Sequence, residues 1–263
     1  MKSKNIALQV VSAKPGQNLR SALLQLKNEF GACGLKLSTE DAAMSLEQIN
    51  YWAESAGDIL SAVVKIGGPN ARNDIKQILP MNIDGLIAPM VESAYGLENF
   101  ISAVRDFTTP MQFERLKKQI NIETETAVCQ LDSILSAPEA KYIDEITIGC
   151  SDLSGSMKKP RWDADFMALV IKVVKKIQRK NIPVSVGGGI TPETIEGLLE
   201  QVRPDKFNTR VVTFKVEPGR DYRLAVQSAL RFEILMLEHD SSRKFISRDE
   251  EKFRIKELKK RLK

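Results

Sequence analysis

Two carboxylates stand where short apolar runs end: Glu123 in Asn121-Ile122-Glu123-Thr124, and Asp152 in Ile148-Gly149-Cys150-Ser151-Asp152-Leu153-Ser154. A buried parallel strand would deliver each to the rim of a barrel. Two such side chains brought together make a hard-oxygen site for a divalent cation, and a cation beside an open pocket polarises the oxygens of a 2-oxo acid. The chemistry implied is metal-assisted enolate formation. Taken singly, each residue also reads as a cap, Asp152 on a following turn and Glu123 at the head of the helix holding Val128 and Leu131.

Positioning such a pair requires strand ends that face one another, and the chain alternates strand-like and helix-like segments throughout. Predicted strands are Ile6–Val11, Cys33–Leu37, Leu60–Ile66, Gly85–Met90, Gln119–Glu123, Glu145–Gly149, Ile182–Val186 and Phe207–Phe214. Helical periodicity fills the spaces between them, and Tyr222–Leu237 supplies a last helix. Eight strands, each followed by a helix, match an α/β (β/α)8 TIM barrel over residues 1–240. An open doubly wound sheet would show a GxGxxG turn after its first strand, which is missing. Gly187-Gly188-Gly189 after the seventh strand reads either as a backbone nest for an anion or as a tight turn needing positive φ.

The net charge of +5 invites a nucleic-acid reading until its location is examined. Residues 243–263 hold ten Lys or Arg against four Asp or Glu, a surplus of six that leaves residues 1–242 at −1. Ile246, Phe253, Ile255, Leu258 and Leu262 partly follow helical spacing, so residues 241–263 are expected to form a basic helical extension packed on the body or on a partner subunit. No nucleic-acid or membrane partner is expected, since the body is not basic and no apolar run approaches a membrane span. The apolar run after Met1-Lys2-Ser3-Lys4 is too short for a secretory signal, and a cytoplasmic location is expected. Cys33, Cys129 and Cys150 lack CxxC spacing and indicate neither a disulfide framework nor a zinc site. Cys150 reads as a small apolar filler beside the site.

Four strings carry a resemblance: Lys65–Gly68 (KIGG), Ile87–Ser93 (IAPMVES), Asn121–Val128 (NIETETAV) and Ile148–Met157 (IGCSDLSGSM). Together, over about Gly34 to Ser156, they resemble the HpcH/HpaI aldolase and citrate-lyase β-subunit family of metal-dependent barrels acting on pyruvate, oxaloacetate and related acyl-lyase substrates. The resemblance implies that Glu123 and Asp152 bind Mg2+ or Mn2+, and that backbone amides of Gly149-Cys150-Ser151 hold the substrate carboxylate. It also implies a homo-oligomer, a hexamer or dimer with C-terminal helices packed between barrels.

Two departures from the family pattern bear on mechanism. Lys65 stands where the family often has an arginine on the 2-oxo oxygen, so a point charge replaces a planar fork. Ser38-Thr39-Glu40-Asp41 stands where pyruvate aldolases carry a Glu-His pair, and the one histidine, His239, lies far along the chain and reads as a surface residue. Proton transfer would then fall to Glu40, Asp41, Lys36 or metal-bound water. Lys36 and Lys65 are also candidate Schiff-base nucleophiles. Arg210 would project to the same face to bind a phosphate or second carboxylate, or would form an internal ion pair. Trp52 reads as packing, and Trp162 as a loop anchor.

The expected activity is a metal-dependent carbon–carbon lyase or aldolase working through the enolate of a 2-oxo acid. Phosphoenolpyruvate-type or acyl-CoA condensing chemistry, and a barrel that binds without turnover, are the alternatives.

Overall fold

The computed structural model describes residues 15–262. Helix α1 (Pro15–Phe30) leads into β1 (Ala32–Ser38), followed by α2 (Leu46–Ala56), β2 (Ser61–Lys65), α3 (Arg72–Ile78), β3 (Gly85–Ala88), α4 (Ala94–Asp106) and α5 (Pro110–Arg115). Then come β4 (Lys117–Ile122), α6 (Glu125–Cys129), α7 (Leu131–Ser136), a 3-10 turn at Pro138–Tyr142, β5 (Glu145–Gly149) and α8 (Cys150–Ser156). The chain finishes with α9 (Ala164–Gln178), β6 (Val184–Gly187), α10 (Ile195–Val202), β7 (Lys206–Asn208), β8 (Val212–Lys215), α11 (Tyr222–Ser242) and α12 (Arg248–Arg261). The strands close into one barrel in sequence order, the α/β barrel expected.

Closure differs from eight repeated strand–helix units. The segment Phe207–Phe214, expected as one strand, folds into the hairpin β7–β8, and β8 lies antiparallel to both β7 and β1. Thr209 makes the reversal: its N–H donates to the Val212 carbonyl at 2.9 Å, and its hydroxyl accepts from the Val212 N–H at 3.1 Å. A residue able to satisfy backbone groups locally turns a run of strand formers back on itself. The expected strand Ile6–Val11 lies outside the described residues.

Period-2 alternation then divides the strand residues between two environments. Val64, Ile120, Ile148 and Val186 face outward into an apolar layer shared with Trp52, Phe100, Phe166 and Phe232 of the surrounding helices. The alternate residues face the lumen, which is polar and satisfied from within. Thr147 and Ser185 share a hydrogen bond at 2.7 Å, Asn208 donates to Ser185 Oγ at 2.9 Å, and Thr213 donates to Asn208 Oδ1 at 2.6 Å. Lys206 Nζ pairs with buried Glu145 at 2.5 Å. These buried polar groups thus find partners instead of carrying a desolvation penalty. This lumen sets strand ends at fixed heights beneath the mouth.

The boundary expected at residue 240 falls inside α11, which runs to Ser242 before α12 turns back. Helix α12 packs on its own barrel through buried Leu258, with Ile246, Ile255 and Leu262 partly covered against the core, while Phe253 stays 67% exposed. Arg261, at its end, donates to the Ile190 carbonyl beyond β6 at 2.8 Å. Among the described residues no helix is long and apolar enough to cross a membrane.

Candidate active site at the barrel mouth

Glu123 follows β4 directly and is buried. Its Oε1 accepts from the Met90 N–H at 3.0 Å and its Oε2 from Asn121 Nδ2 at 3.1 Å. Met90 turns its amide inward by adopting φ 53°, a left-handed conformation that costs a non-glycine residue on the order of 1 kcal/mol. Gly149, at the end of β5, lets the carboxylate lie flat against the strand: a Cβ there would overlap the carboxylate and stand 2.7 Å from the Glu123 Cβ. Burial raises the Glu123 pKa, and nearby Asp152 pushes the same way, against the Met90 amide and Lys65.

Asp152 sits exposed in the first turn of α8, two residues beyond the buried thiol of Cys150. Partial burial raises its pKa, and Glu40 and Asp41 add to this, while Lys65 and Arg161 oppose. One buried and one open carboxylate therefore share the mouth, each destabilised in its charged form. Among the described residues no group of three or more His, Cys, Asp and Glu side chains converges as a metal cage. A two-carboxylate oxygen set still fits Mg2+ or Mn2+, which commonly take one or two protein carboxylates and fill the remaining positions with water and substrate.

Opposite this pair, β1 and β2 deliver a second charged group. Lys65 Nζ lies 2.6 Å from Glu40 Oε2 and 3.3 Å from Asp41 Oδ1, not paired with Glu92 or Glu123. Ser38 organises the loop, its hydroxyl accepting both the Glu40 and Asp41 N–H groups at 3.1 Å. Burial would lower the Lys65 pKa, but Asp41 and Glu40 outweigh it and the net shift is upward. Asp41 moves the other way: burial would raise it, yet Lys65, the Ser38 hydrogen bond, Arg210 and Lys36 hold it down at about 2. A carboxylate so acidic is a poor proton acceptor near neutral pH.

Lys36 enters the lumen from β1, its N–H donating to the Val211 carbonyl at 2.8 Å, and its amine has no hydrogen-bond or ion-pair partner among the described residues. Burial and then the charge of Lys65 lower its pKa. Arg210 lies in the turn between β7 and β8, not on a strand, where its Nη2 donates to the Asp41 carbonyl at 2.7 Å and its Nε stands 3.6 Å from Asp41 Oδ2. Cys150 is fully buried, its thiol pushed up to about 12, which suits a filler and not a nucleophile.

His239 is within α11, half-buried and stacked on Tyr51 at 4.9 Å, not on the surface as its sequence position implied. Trp52 is fully buried and donates to Asp240 Oδ1 at 2.8 Å. Two contributors escaped the sequence reading. The Met90 amide leaves no side-chain signature. Arg161, which donates to Ser151 Oγ at 2.9 Å, sits in the loop after α8 with nothing local to single it out.

The glycine turn completes the mouth. Gly188 and Gly189 have φ 93° and 73°, the positive φ that the tight-turn reading of the triplet requires. A Cβ on Gly188 would stand 2.5 Å from the Ser151 nitrogen and 3.1 Å from that of Cys150.

Several solved structures share this architecture. The HpcH/HpaI aldolase from Desulfitobacterium hafniense DCB-2 is 18% identical over 70% of this chain and 79% of its own, with a TM-score of 0.56. The citrate synthase SbnG is 17% identical over 80% and 96%, with a TM-score of 0.57. An HpcH/HpaI aldolase/citrate lyase family protein from Burkholderia cenocepacia J2315 is 12% identical over 81% and 97%, with a TM-score of 0.56. At these identities the likeness is one of fold. A search of curated protein sequences finds no match. The profile of one family does match, over residues 38–181, more than half of the chain and the segment that carries Lys65, Glu123, Gly149 and Asp152. By that match the chain belongs to the HpcH/HpaI aldolase/citrate lyase family.

Proposed function

We propose that the chain is a divalent-metal-dependent carbon–carbon lyase acting through the enolate of a 2-oxo acid. The observation that carries this reading is the pairing of buried Glu123 with open Asp152, two like charges both raised in pKa at one edge of the mouth. Like charges held together cost free energy that a cation between them recovers. Glu123 and Asp152 would hold Mg2+ or Mn2+, which when bound supplies positive charge to the oxygens of the 2-oxo acid.

The remaining steps belong to the chain's own groups. The amides of Cys150 and Ser151, reached closely across Gly188, orient the substrate carboxylate. Lys65, held by Glu40 and Asp41, stabilises charge developing on the enolate oxygen. Between the two acids, Glu40 suits proton relay better, because Asp41 is held at about 2. Lys36, with its lowered pKa, is a second base beneath the substrate.

Calorimetry with Mn2+ tests the reading. Wild-type protein should bind Mn2+, pyruvate should tighten it, and Glu123→Gln or Asp152→Asn should weaken it by more than about tenfold. Unchanged affinity in both variants would reject the metal assignment.

Lys36 favours a second reading, a Schiff-base aldolase. An amine in the lumen without a partner and with a depressed pKa has the properties of a carbinolamine-forming nucleophile. Borohydride with pyruvate would then trap an adduct on Lys36, and EDTA would leave activity intact.

A further inference from the structure

Four arginines gather beside α12, and among them Arg210 and Arg254 form ion pairs, with Asp41 and Glu250, while Arg161 and Arg261 form none among the described residues. Arg161 rests on the glycine turn: a Cβ on Gly189 would overlap its guanidinium, with the Cζ at 2.6 Å. Arg261 reaches the same turn from the other side, donating to Ile190. Arg210 and Arg254 stand behind them, around Glu233 of α11, which is 2% exposed.

Glu233 leaves its Oε2 buried without a hydrogen-bond partner, and the Nε groups of Arg210, Arg254 and Arg261 are likewise buried without a hydrogen bond, the Arg210 Nε standing 3.6 Å from Asp41 Oδ2. A carboxylate among three guanidinium groups ordinarily closes bidentate pairs. Here Arg210 turns to Asp41 and Arg254 to Glu250, while Glu233 Oε2 and the Arg261 Nε stay open, so the cluster is not a finished ion-pair network. Burial lowers the Arg261 pKa, Glu233 opposes, and Arg210 and Arg161 lower it further, the signature of cations facing one another.

We propose that Arg161 and Arg261 form a clamp for an acidic group, a carboxylate or a phosphate, carried by the second reactant, the carbonyl acceptor that meets the enolate. The assignment rests on the enolate reading for its orientation. With the first substrate's carboxylate at Ser151, the clamp lies one residue contact away, since Arg161 donates to Ser151 Oγ. An acceptor with an acidic tail bridges the two arginines beside the glycine turn, where the missing side chain of Gly189 lets the Arg161 guanidinium lie against the backbone. The last helix thereby becomes part of the active site through Arg261 and sets which acceptors are taken.

The test reads the clamp without turnover. Trp162, adjacent to Arg161 and 37% exposed, serves as reporter in the full-length protein without added metal, titrated with inorganic phosphate. Fluorescence should saturate, and Arg161→Gln or Arg261→Gln should weaken the midpoint by about tenfold, the loss of one good charge-assisted contact. Lys259→Gln, the same charge change on the exposed face of α12, should leave it unaltered. No saturable change, or an equal loss in Lys259→Gln, would overturn the clamp.

Turnover supplies the second arm. For aldehydes of matched length ending in carboxylate, phosphate or methyl, the acidic ones should be preferred, and Arg261→Lys should reduce that preference while Mn2+ affinity at Glu123 stays constant. Preference unchanged in Arg261→Lys would overturn the clamp, whereas loss of Mn2+ binding in wild-type protein would strike the enolate reading instead.

Discussion

The carboxylate of Glu123 occupies the space a Cβ on Gly149 would fill, so the acid on β4 and the small residue ending β5 are one device. Gly149→Ala should push Glu123 off its hydrogen bonds with Met90 and Asn121. Overpacking of this kind costs about 1–3 kcal/mol. We expect a folded protein with a lowered melting temperature and Mn2+ affinity reduced at least about tenfold, a loss of about 1.4 kcal/mol or more in binding. Calorimetry giving wild-type affinity would mean the close approach does not position the acid.

Cysteine reactivity should separate by burial. Cys129 is exposed, Cys33 is half-buried with its pKa raised chiefly by burial, and Cys150 is buried with a thiol at about 12. Since the thiolate is the reactive species, iodoacetamide at pH 8 should label Cys129 first and Cys150 only after denaturation. Rapid native labelling of Cys150, read by mass spectrometry, would contradict the burial described.

Asp240 makes stability depend on pH. Burial raises its pKa from 3.8 to about 6, even though Trp52 and Gln48 donate to it at 2.8 and 2.7 Å. The folded form therefore holds its proton over a range where the unfolded chain has released it. Stability from this group is fullest below pH 4 and falls as pH rises to about 6, by on the order of 3 kcal/mol in all. Asp240→Asn should flatten that slope in urea melts at pH 4.5 and 7. An unchanged slope would place the titration elsewhere.

Much of the fold was legible because the apolar runs are short, separated by helical spacing, and bounded by strand-end chemistry. Glu123 could be read from the run it closes, whereas Asp152, expected at a strand end, lies three residues past β5 in the first turn of α8. The hairpin was not legible: Phe207–Phe214 has strand composition throughout, and the turn depends on one Thr209 hydroxyl satisfying its own backbone. The place of Lys65 at the end of its strand was legible, but its ion-pair partners were not, since pairing with the loop after β1 follows from the Ser38 turn and not from spacing. Arg161 and Arg261 are 100 positions apart and reach the same glycine turn only through the packing of α12. Nothing local to either marks that encounter.

If Glu123 and Asp152 serve enolate formation, proton exchange reads it directly. Pyruvate in deuterated water, followed by NMR with Mg2+ present, should lose methyl protons in the presence of wild-type protein. EDTA should stop the exchange, and Glu123→Gln should reduce it by at least about a hundredfold, about 2.7 kcal/mol of barrier. Exchange that survives both EDTA and Glu123→Gln would contradict the account, as would its absence from the wild-type protein with the metal bound.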